Sequence, residues 1–143
     1  MDKTELSQKW KDRFALFDSV AGNIHSQQYK DAIKNMKFLV RTKYVFNFYA
    51  FFFGIIYFCI LGLWKKGLVL FGAVVVLNVI LIIIDAGTAM NLEPAIRGIN
   101  IAYASTCAMI ANYAYYLKEV KGLDGWNPIE GFTKKSAEKI AQS

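Results

Sequence analysis

Residues 47–68 read Asn-Phe-Tyr-Ala-Phe-Phe-Phe-Gly-Ile-Ile-Tyr-Phe-Cys-Ile-Leu-Gly-Leu-Trp-Lys-Lys-Gly-Leu. No charged side chain occurs from Tyr44 to Trp64, and two lysines, Lys65 and Lys66, then follow together. An uncharged run of this length is about what a helix needs to cross the hydrocarbon core of a bilayer, roughly 20 residues. The stretch therefore predicts an all-α membrane protein, and it belongs to the first of three apolar blocks, at 44–64, 67–84 and 99–117.

The second block, 67–84, is almost purely aliphatic, and Asn78 is its one polar side chain. At the rise of an α-helix the block covers roughly 27 Å, which is nearly the full thickness of the hydrocarbon core. Its aliphatic side chains together favour insertion by roughly 4 to 8 kcal/mol. The sequence therefore predicts a spanning helix at this block.

The third block, 99–117, is marginal in hydropathy, because it is rich in alanine and contains several polar side chains. At helical spacing, Ala104, Ala108 and Asn112 fall on one face. Small residues let another helix approach closely, and an amide can hydrogen-bond across such a contact. We therefore expect this face to pack against the second block, with Asn78 and Asn112 as partners if their depths match. A pore lining is the alternative role for the two asparagines. Near the end of the block, Tyr113, Tyr115 and Tyr116 lie where an interfacial aromatic belt is expected.

Residues 1–43 are amphipathic and predict a helical hairpin. Thr4 is positioned to cap the first helix, and the dipeptide Gly22-Asn23 marks its end. The apolar stripe of this helix is formed by Leu6, Trp10, Phe14 and Phe17. A second helix, at about 26–42, has a basic face formed by Lys30, Lys34, Lys37 and Arg41. Such a face suits a helix lying on an anionic membrane surface, and it equally suits a solvated helix of a small hairpin.

The distribution of lysine and arginine bears on how often the chain crosses the membrane. Three plain spans would place six basic residues on each side between positions 30 and 135. If 44–64 re-enters the membrane or lies in its interface, Lys65 and Lys66 stay cytoplasmic and contact the membrane surface, and the count becomes eleven inside and one outside. Because cytoplasmic loops are enriched in Lys and Arg, we favour two spans, with a cytoplasmic region at 1–43, a membrane region at 44–117 and a cytoplasmic tail at 118–143. From Thr133 onward the tail is mostly polar, which predicts a short frayed helix or disorder.

Two motifs in the first block have a recognisable pattern. Residues 46–57 read Phe-Asn-Phe-Tyr-Ala-Phe-Phe-Phe-Gly-Ile-Ile-Tyr, and residues 61–67 read Leu-Gly-Leu-Trp-Lys-Lys-Gly. This pattern resembles the bacterial family called domain of unknown function 2628. The matching positions are Asn47, Ala50, Phe51, Phe52, Phe53, Gly54, Tyr57, Gly62 and Trp64. Ile55 stands where the family often has proline. The resemblance implies a small bacterial inner-membrane protein, and it brings no known activity, cofactor or catalytic residue.

The sequence contains no motif for catalysis or metal binding. His25 is the only histidine, and Cys59 and Cys107 lie inside apolar blocks, where we expect free thiols. The basic residues that give the net charge of +6 flank the apolar blocks and do not form a separate domain, which disfavours nucleic-acid binding. We therefore expect a non-enzymatic, multi-pass bacterial inner-membrane protein with a cytoplasmic N-terminus and no cofactor. Its expected partners are the lipid bilayer and a membrane protein or a second copy. A homo-oligomeric pore or transporter component is the alternative.

Overall fold

The computed structural model describes residues 7–88 and 90–143, which form eight α-helices and no β-strand. The helices are α1 Gln8–Asp18, α2 Gln27–Asn35, α3 Phe38–Val45, α4 Phe48–Phe53, α5 Ile55–Ile60, α6 Trp64–Thr88, α7 Glu93–Lys121 and α8 Lys134–Gln142. The prediction of an all-α fold is confirmed over these residues. Helices α6 and α7 form a long hairpin, and the shorter helices gather around its base.

Helix α1 packs its apolar stripe against the second half of α7. Phe14 is buried, and its ring centroid lies 5.6 Å from that of Tyr116. Thr4 and Leu6, which the sequence assigns to the start of this helix, lie outside the described residues. The predicted break is confirmed, because Gly22 has a φ of +79° and the chain turns there before α2 begins.

The second N-terminal helix, predicted at about 26–42, is two helices. Met36 has an extended ψ of 142°, so α2 ends before it and α3 begins at Phe38. Neither proline nor glycine marks this break in the sequence. Arg13 donates from Nε to the carbonyl oxygen of Lys43 at 2.8 Å, near the end of α3. A tertiary contact, which local sequence does not show, thus ties α3 to α1.

The first apolar block does not form one continuous helix. Asn47 caps α4, because its Oδ1 accepts from the backbone amides of Tyr49 at 3.1 Å and Ala50 at 3.3 Å. Helix α4 ends at Gly54, whose φ of +46° and ψ of −121° lie outside the helical region, and α5 starts immediately afterwards. Each helix has six residues and is roughly 9 Å long. Three plain spans would need a helix here that the chain does not form.

The second and third apolar blocks form an antiparallel hairpin that is longer than predicted. Helix α6 begins at Trp64, and α7 extends to Lys121, where Gly122 adopts a left-handed φ of +68° and ends it. The turn between them is closed by the backbone N–H of Leu92, which donates to the Asp85 carboxylate at 2.8 Å. The predicted spanning helix at 67–84 is therefore the central part of α6.

The predicted pairing of Asn78 with Asn112 is wrong. Asn78 donates from Nδ2 to Oδ1 of Asn100 at 2.8 Å. In an antiparallel hairpin, a residue later in α6 faces one correspondingly earlier in α7. Because α7 starts at Glu93, ahead of the expected start of the third block, the partner of Asn78 is farther from the base. Asn112 lies about 12 residues, or roughly 18 Å, nearer to that base.

The molecule has two parts of different character. We call residues 68–88 and 93–106 the apolar arm, and within it Val74 is the one residue classed as buried among those described. We call α1–α5, α8, the remaining ends of α6 and α7 and their connecting loops the head. The buried core lies in the head and draws on residues from all three regions that the sequence delimits.

Three tyrosines that the sequence places in an interfacial belt are buried in this core. They are Tyr113, Tyr115 and Tyr116, and they pack against the aromatic stripe of α1. The C-terminal residues, for which the sequence predicts a frayed helix or disorder, form α8. Ala137 and Ile140 of this helix are buried, and Ile140 belongs to the same core. The last helix thus completes the head.

Substitution of Gly54 should test the break between α4 and α5. We expect Gly54→Ala to lower the free energy of unfolding by about 1–3 kcal/mol, because alanine is strained at a positive φ. A methyl group there would also lie 3.0 Å from the Tyr103 hydroxyl oxygen. The measurement is reversible unfolding in detergent, followed by circular dichroism.

The matched control is Gly72→Ala, because a methyl group at Gly72 of α6 would meet no atom within 4 Å. Alanine also forms helices better than glycine by about 1 kcal/mol, so the control should be at least as stable as the unchanged protein. Equal stability of the two variants would contradict the strained break.

Candidate functional site

The apolar arm exposes most of its aliphatic side chains. Among the described residues, α6 is the one helix long and apolar enough, by length and composition, to cross a membrane. The most apolar 18 residues of α6 have a mean hydropathy of 3.0, and 11% of these residues are buried. The core helix of a soluble protein is, by contrast, mostly buried. The exposed side chains of α6 include Leu68, Val69, Phe71, Val75, Val76, Leu77, Val79, Ile80, Ile82, Ile83 and Ile84. An exposed apolar surface of this kind marks an interaction site.

Helices α4 and α5, with Gly54 between them, form a wedge at the base of the arm. Helix α4 packs along α7 and α5 along α6. Helix α5 comes close to α6 at Gly67, where a methyl group would lie 2.8 Å from Cβ of Phe58. At the turn of the wedge, Gly54 lies against Tyr103. The outer side of the wedge is apolar and exposed, through Phe48, Tyr49, Phe52, Phe53, Ile56 and Ile60.

A buried pair of amides fastens the start of the wedge to α7. Asn47 donates from Nδ2 to Oδ1 of Asn112 at 2.8 Å, and Asn112 donates from Nδ2 to the Tyr44 carbonyl oxygen at 2.9 Å. The backbone N–H of Asn47 also donates to the carbonyl oxygen of Ala108 at 2.9 Å. Both amide side chains are almost fully buried, so these bonds replace those that water would supply.

The small-residue face of α7 therefore receives the start of the wedge, although the sequence predicts that it packs against the second block. Ala108 and Asn112 contact residues 44–47, and Ala104 is half-buried. Helix α6 instead shares a shallow groove with a different set of α7 residues, Ile99, Ala102, Tyr103 and Thr106. Neighbouring faces of α7 thus contact two different segments, residues 44–47 and α6. Helical spacing alone does not predict which segment packs on which face.

Two residues of the sequence motif lie at the junction of the wedge and α6. Gly62 has a φ of +70°, and its missing side chain leaves room for Lys118, which donates from Nζ to the Leu61 carbonyl oxygen at 3.1 Å. Trp64 contacts Trp126 of the C-terminal loop, with ring centroids 5.4 Å apart. The motif therefore shapes the turn into α6. Of the motif phenylalanines, Phe51 is half-buried, while Phe52 and Phe53 are exposed.

The two lysines that begin α6 have different surroundings. Lys65, which is partly exposed, forms an ion pair with Asp124 at 3.1 Å. Lys66 is 1% exposed, and its ammonium donates to the Glu130 carboxylate and to the Asn127 carbonyl oxygen, each at 2.9 Å. The sequence assigns both lysines to the membrane surface, and for Lys66 we replace that assignment. Its side chain fastens the C-terminal loop onto the start of α6.

The four basic residues predicted on one helix face do not share one helix. Lys30 and Lys34 are on α2 and Arg41 is on α3, while Lys37 lies between the two helices. Lys30, Lys34 and Arg41 are brought together along the edge of a cavity of about 480 Å³ between α2, α3 and α7. Lys37 does not line this cavity.

Arg13 is a buried residue whose role the sequence analysis did not identify. Its guanidinium lies 4.8 Å from the ring of Trp10, in addition to its bond to α3. Burial lowers the pKa of Arg13 from its ordinary value, but an arginine remains charged at physiological pH. The Trp10-x-x-Arg-Phe14 spacing, which places Arg13 next to two core aromatics, was the available signal.

Comparison with known proteins identifies relatives of unknown function. The sequence matches the family described as a protein of unknown function (DUF2628) over residues 3–121. It is 35% identical over 125 residues to the uncharacterized protein YigF of Salmonella typhimurium, covering 85% of this chain and 91% of the relative. It is also 35% identical over 130 residues to YigF of Escherichia coli K12, covering 89% of this chain and 95% of the relative. No solved structure matches this chain.

Removal of one amide of the buried pair should destabilise the protein. We expect Asn47→Ala to lower the free energy of unfolding by about 1–3 kcal/mol, because buried polar groups of Asn112 and α4 lose their partner. Asn35→Ala, at an exposed position at the end of α2, should change it by less than about 0.5 kcal/mol. Unfolding in detergent measures both variants, and equal effects would rule out a special role for the pair.

The adjacent lysines of α6 provide a second matched comparison. We expect Lys66→Met to lower the free energy of unfolding by about 2 kcal/mol, because it leaves Glu130 and the Asn127 carbonyl without their donor. Lys65→Met removes a partly exposed pair and should cost less than about 1 kcal/mol. The two variants have the same change in charge, so a larger loss for Lys65→Met in detergent unfolding would contradict the structural role of Lys66.

Proposed function

This chain belongs to the DUF2628 family of proteins of unknown function, and from that premise we propose that it is a bacterial inner-membrane protein. It acts through contacts with lipid and with other proteins, without catalysing a reaction. The observation that carries this proposal is the exposed aliphatic surface of the apolar arm. In water such a surface is unfavourable by roughly 25 cal/mol per Å², whereas hydrocarbon solvates it without that penalty.

In this proposal the α6 and α7 segments of the arm both cross the bilayer, as a helical hairpin, although only α6 is strongly apolar. Internal hydrogen bonds support the crossing of α7. Asn78 and Asn100 bond to each other within the arm. Ser105 and Thr106 donate their hydroxyl protons to the carbonyl oxygens of Ile101 and Ala102, one turn earlier in α7. Polar side chains are tolerated in hydrocarbon when they find partners in this way.

The wedge enters the same leaflet as the base of the arm and returns to the side from which it came. The break at Gly54 lies beside Tyr103 of α7, whereas Asn47, just before the wedge, bonds to Ala108 of α7. Tyr103 is nearer to the tip of the arm than Ala108, so the break is nearer to the tip than the start of the wedge. Backbone groups in a membrane need internal partners. At the break, the N–H of Gly54 donates to the Ala50 carbonyl at 2.9 Å, and the N–H of Phe58 donates to the Gly54 carbonyl at 3.2 Å. These bonds support the re-entrant path that we propose for the wedge.

Charge supports a cytoplasmic head. Basic residues surround the base of the arm, through Lys65, Lys66, Lys118 and Lys121, together with the basic residues of α2 and α3. The tip of the arm carries Asp85, Glu93 and Arg97, and the last two form an ion pair with each other. The enrichment of Lys and Arg on the cytoplasmic side orients the head inward and the tip outward.

The alternative of a homo-oligomeric pore has less support. The two asparagines considered as pore lining bond inside the chain, Asn78 to Asn100 and Asn112 to Asn47. An amide used in a helix–helix contact is less available to water or ions in a channel. His25 also has a structural contact, because its Nε2 lies 2.8 Å from the carbonyl oxygen of Phe132. These contacts favour the role of an accessory or anchoring protein.

Thiol labelling tests this topology. Both native cysteines are free, so a background with Cys59→Ser and Cys107→Ala leaves no thiol. Single cysteines then replace Lys65, Asn91 and Lys135 in turn. With a membrane-impermeant maleimide added to spheroplasts, we expect labelling of the Asn91→Cys variant alone, because only the tip of the arm faces outward. After lysis, all three variants should react.

Two results would oppose the proposal in different ways. Labelling of the Lys65→Cys variant in intact spheroplasts would show that the first block spans the membrane. Release of the chain from membranes by alkaline carbonate would show that the arm is not inserted at all. Labelling after lysis serves as the internal control for the reactivity of each thiol.

A further inference from the structure

The cavity between α2, α3 and α7 combines a basic edge with an apolar interior. Its volume of about 480 Å³ lies in the range of small-molecule sites, roughly 300 to 1,000 Å³. The apolar side chains that line it are Phe17, Ile24, Ile33, Val45, Met109 and Phe132. The cationic side chains that line it are Lys30, Lys34 and Arg41, all of which are exposed at its edge.

No carboxylate neutralises these three cations within the described residues. Lys65, Lys66, Arg97 and Lys118 each pair with a carboxylate in the described part of the chain, whereas Lys30, Lys34 and Arg41 form no such pair there. Lys30 and Lys34 are also one turn apart on α2, and like charges at this spacing repel each other. A bound anion would relieve this repulsion, and Arg41 adds a planar donor suited to phosphate.

The interior of the cavity favours an apolar group attached to that anion. Tyr29, Tyr44, Asn112 and Tyr113 contribute the polar part of the lining. The Asn112 amide is already bonded to Asn47 and Tyr44, and the Tyr113 hydroxyl donates to the Gly22 carbonyl oxygen. Burial raises the pKa of Tyr29, so its phenol stays neutral. The remaining surface is mainly hydrophobic, and a free phosphate ion would leave it empty. An amphipathic anion matches both the edge and the interior.

The location of the cavity favours a lipid as the source of this anion. Met109 lines the cavity, is 52% exposed and lies on α7 close to the base of the apolar arm. Phe38 and Leu39 of α3, near Arg41, are 79% and 75% exposed. Large exposed apolar side chains beside basic ones are typical of a helix at the membrane interface. The cavity thus lies where the proposed bilayer boundary meets the head.

We propose that this cavity binds one anionic phospholipid, with its phosphate between Lys30, Lys34 and Arg41 and part of an acyl chain in the apolar interior. This inference rests on the proposed function, because it requires the head to lie at the membrane surface. Lys37, which the sequence places on the same basic face, does not line the cavity. The site therefore includes three of the four basic residues of that face.

Lipid binding by the full chain in a neutral detergent tests the proposal. The probes are short-chain phosphatidylglycerol, phosphatidylcholine of the same chain length and inorganic phosphate, and native mass spectrometry counts the molecules bound. We expect one phosphatidylglycerol per chain, with at least about tenfold weaker binding of phosphatidylcholine. Saturable binding of phosphatidylglycerol and phosphatidylcholine with equal affinity would overturn the headgroup assignment.

Two sets of variants separate the cavity from general surface charge. The triple variant Lys30→Gln, Lys34→Gln, Arg41→Gln should weaken phosphatidylglycerol binding by at least about tenfold. The control, Lys134→Gln, Lys135→Gln, Lys139→Gln, removes the same charge from exposed positions of α8, and it should change binding by less than about twofold. An equal loss in both triple variants would overturn the proposal, because attraction by net charge would explain it.

Met109→Trp tests the apolar interior without changing charge. Because Met109 is half-exposed, the variant should still fold, with the larger tryptophan ring filling the cavity. We therefore expect phosphatidylglycerol binding to fall at least about fivefold. Unchanged phosphatidylglycerol binding, with inorganic phosphate competing at equal affinity, would show a phosphate site and overturn the lipid assignment. Phospholipid binding in detergent and thiol labelling are separate measurements. If the labelling gives the expected topology but phosphatidylglycerol does not bind at the cavity, this inference is rejected and the membrane proposal stands.

Discussion

Few of the aliphatic side chains of α6 find a partner within the described residues, and this lack of cover is the constraint on which the rest of the structure depends. The arm extends from the head with its apolar surface exposed, and the proposed function assigns hydrocarbon as its solvent. Hydrocarbon in turn requires that polar groups be satisfied inside the protein. The bond between Asn78 and Asn100 and the backbone bonds of Ser105 and Thr106 satisfy these donors inside the arm, whereas Oδ1 of Asn78 and the Tyr103 hydroxyl have no partner among the described residues.

The head meets the same requirement where the chain departs from regular helix. Asn47 uses one side chain to cap α4 and to reach Asn112, so the bend from α3 into the wedge is hydrogen-bonded without water. Gly54 then reverses the chain beside Tyr103, and Gly67 lets Phe58 return close to α6. Asparagine and glycine at these points allow an apolar stretch long enough to cross a bilayer to fold back instead.

The sequence predicted the helical class, the location of α6 and the break at Gly22 correctly, because hydropathy and glycine act locally. Charge counting also favoured a first block that does not span the membrane, and this stays a prediction, whereas the break at Gly54 is observed. The pairing of Asn78 was wrong because it depends on where α7 begins, which the loop composition did not define. Likewise, the burial of Lys66 depends on Glu130, which is distant in sequence and reaches it only through the folded C-terminal loop.

Depth measurement along α6 tests the central claim most directly. Nitroxide labels at the exposed positions Val69, Val76 and Ile83, in the protein reconstituted into lipid vesicles, report the relative access of oxygen and of a water-soluble nickel complex. A bilayer around the arm predicts that Val76 has the highest ratio of oxygen to nickel access, with lower ratios at Val69 and Ile83 near the two interfaces. Equal, high access of the nickel complex to all three positions would contradict the membrane account.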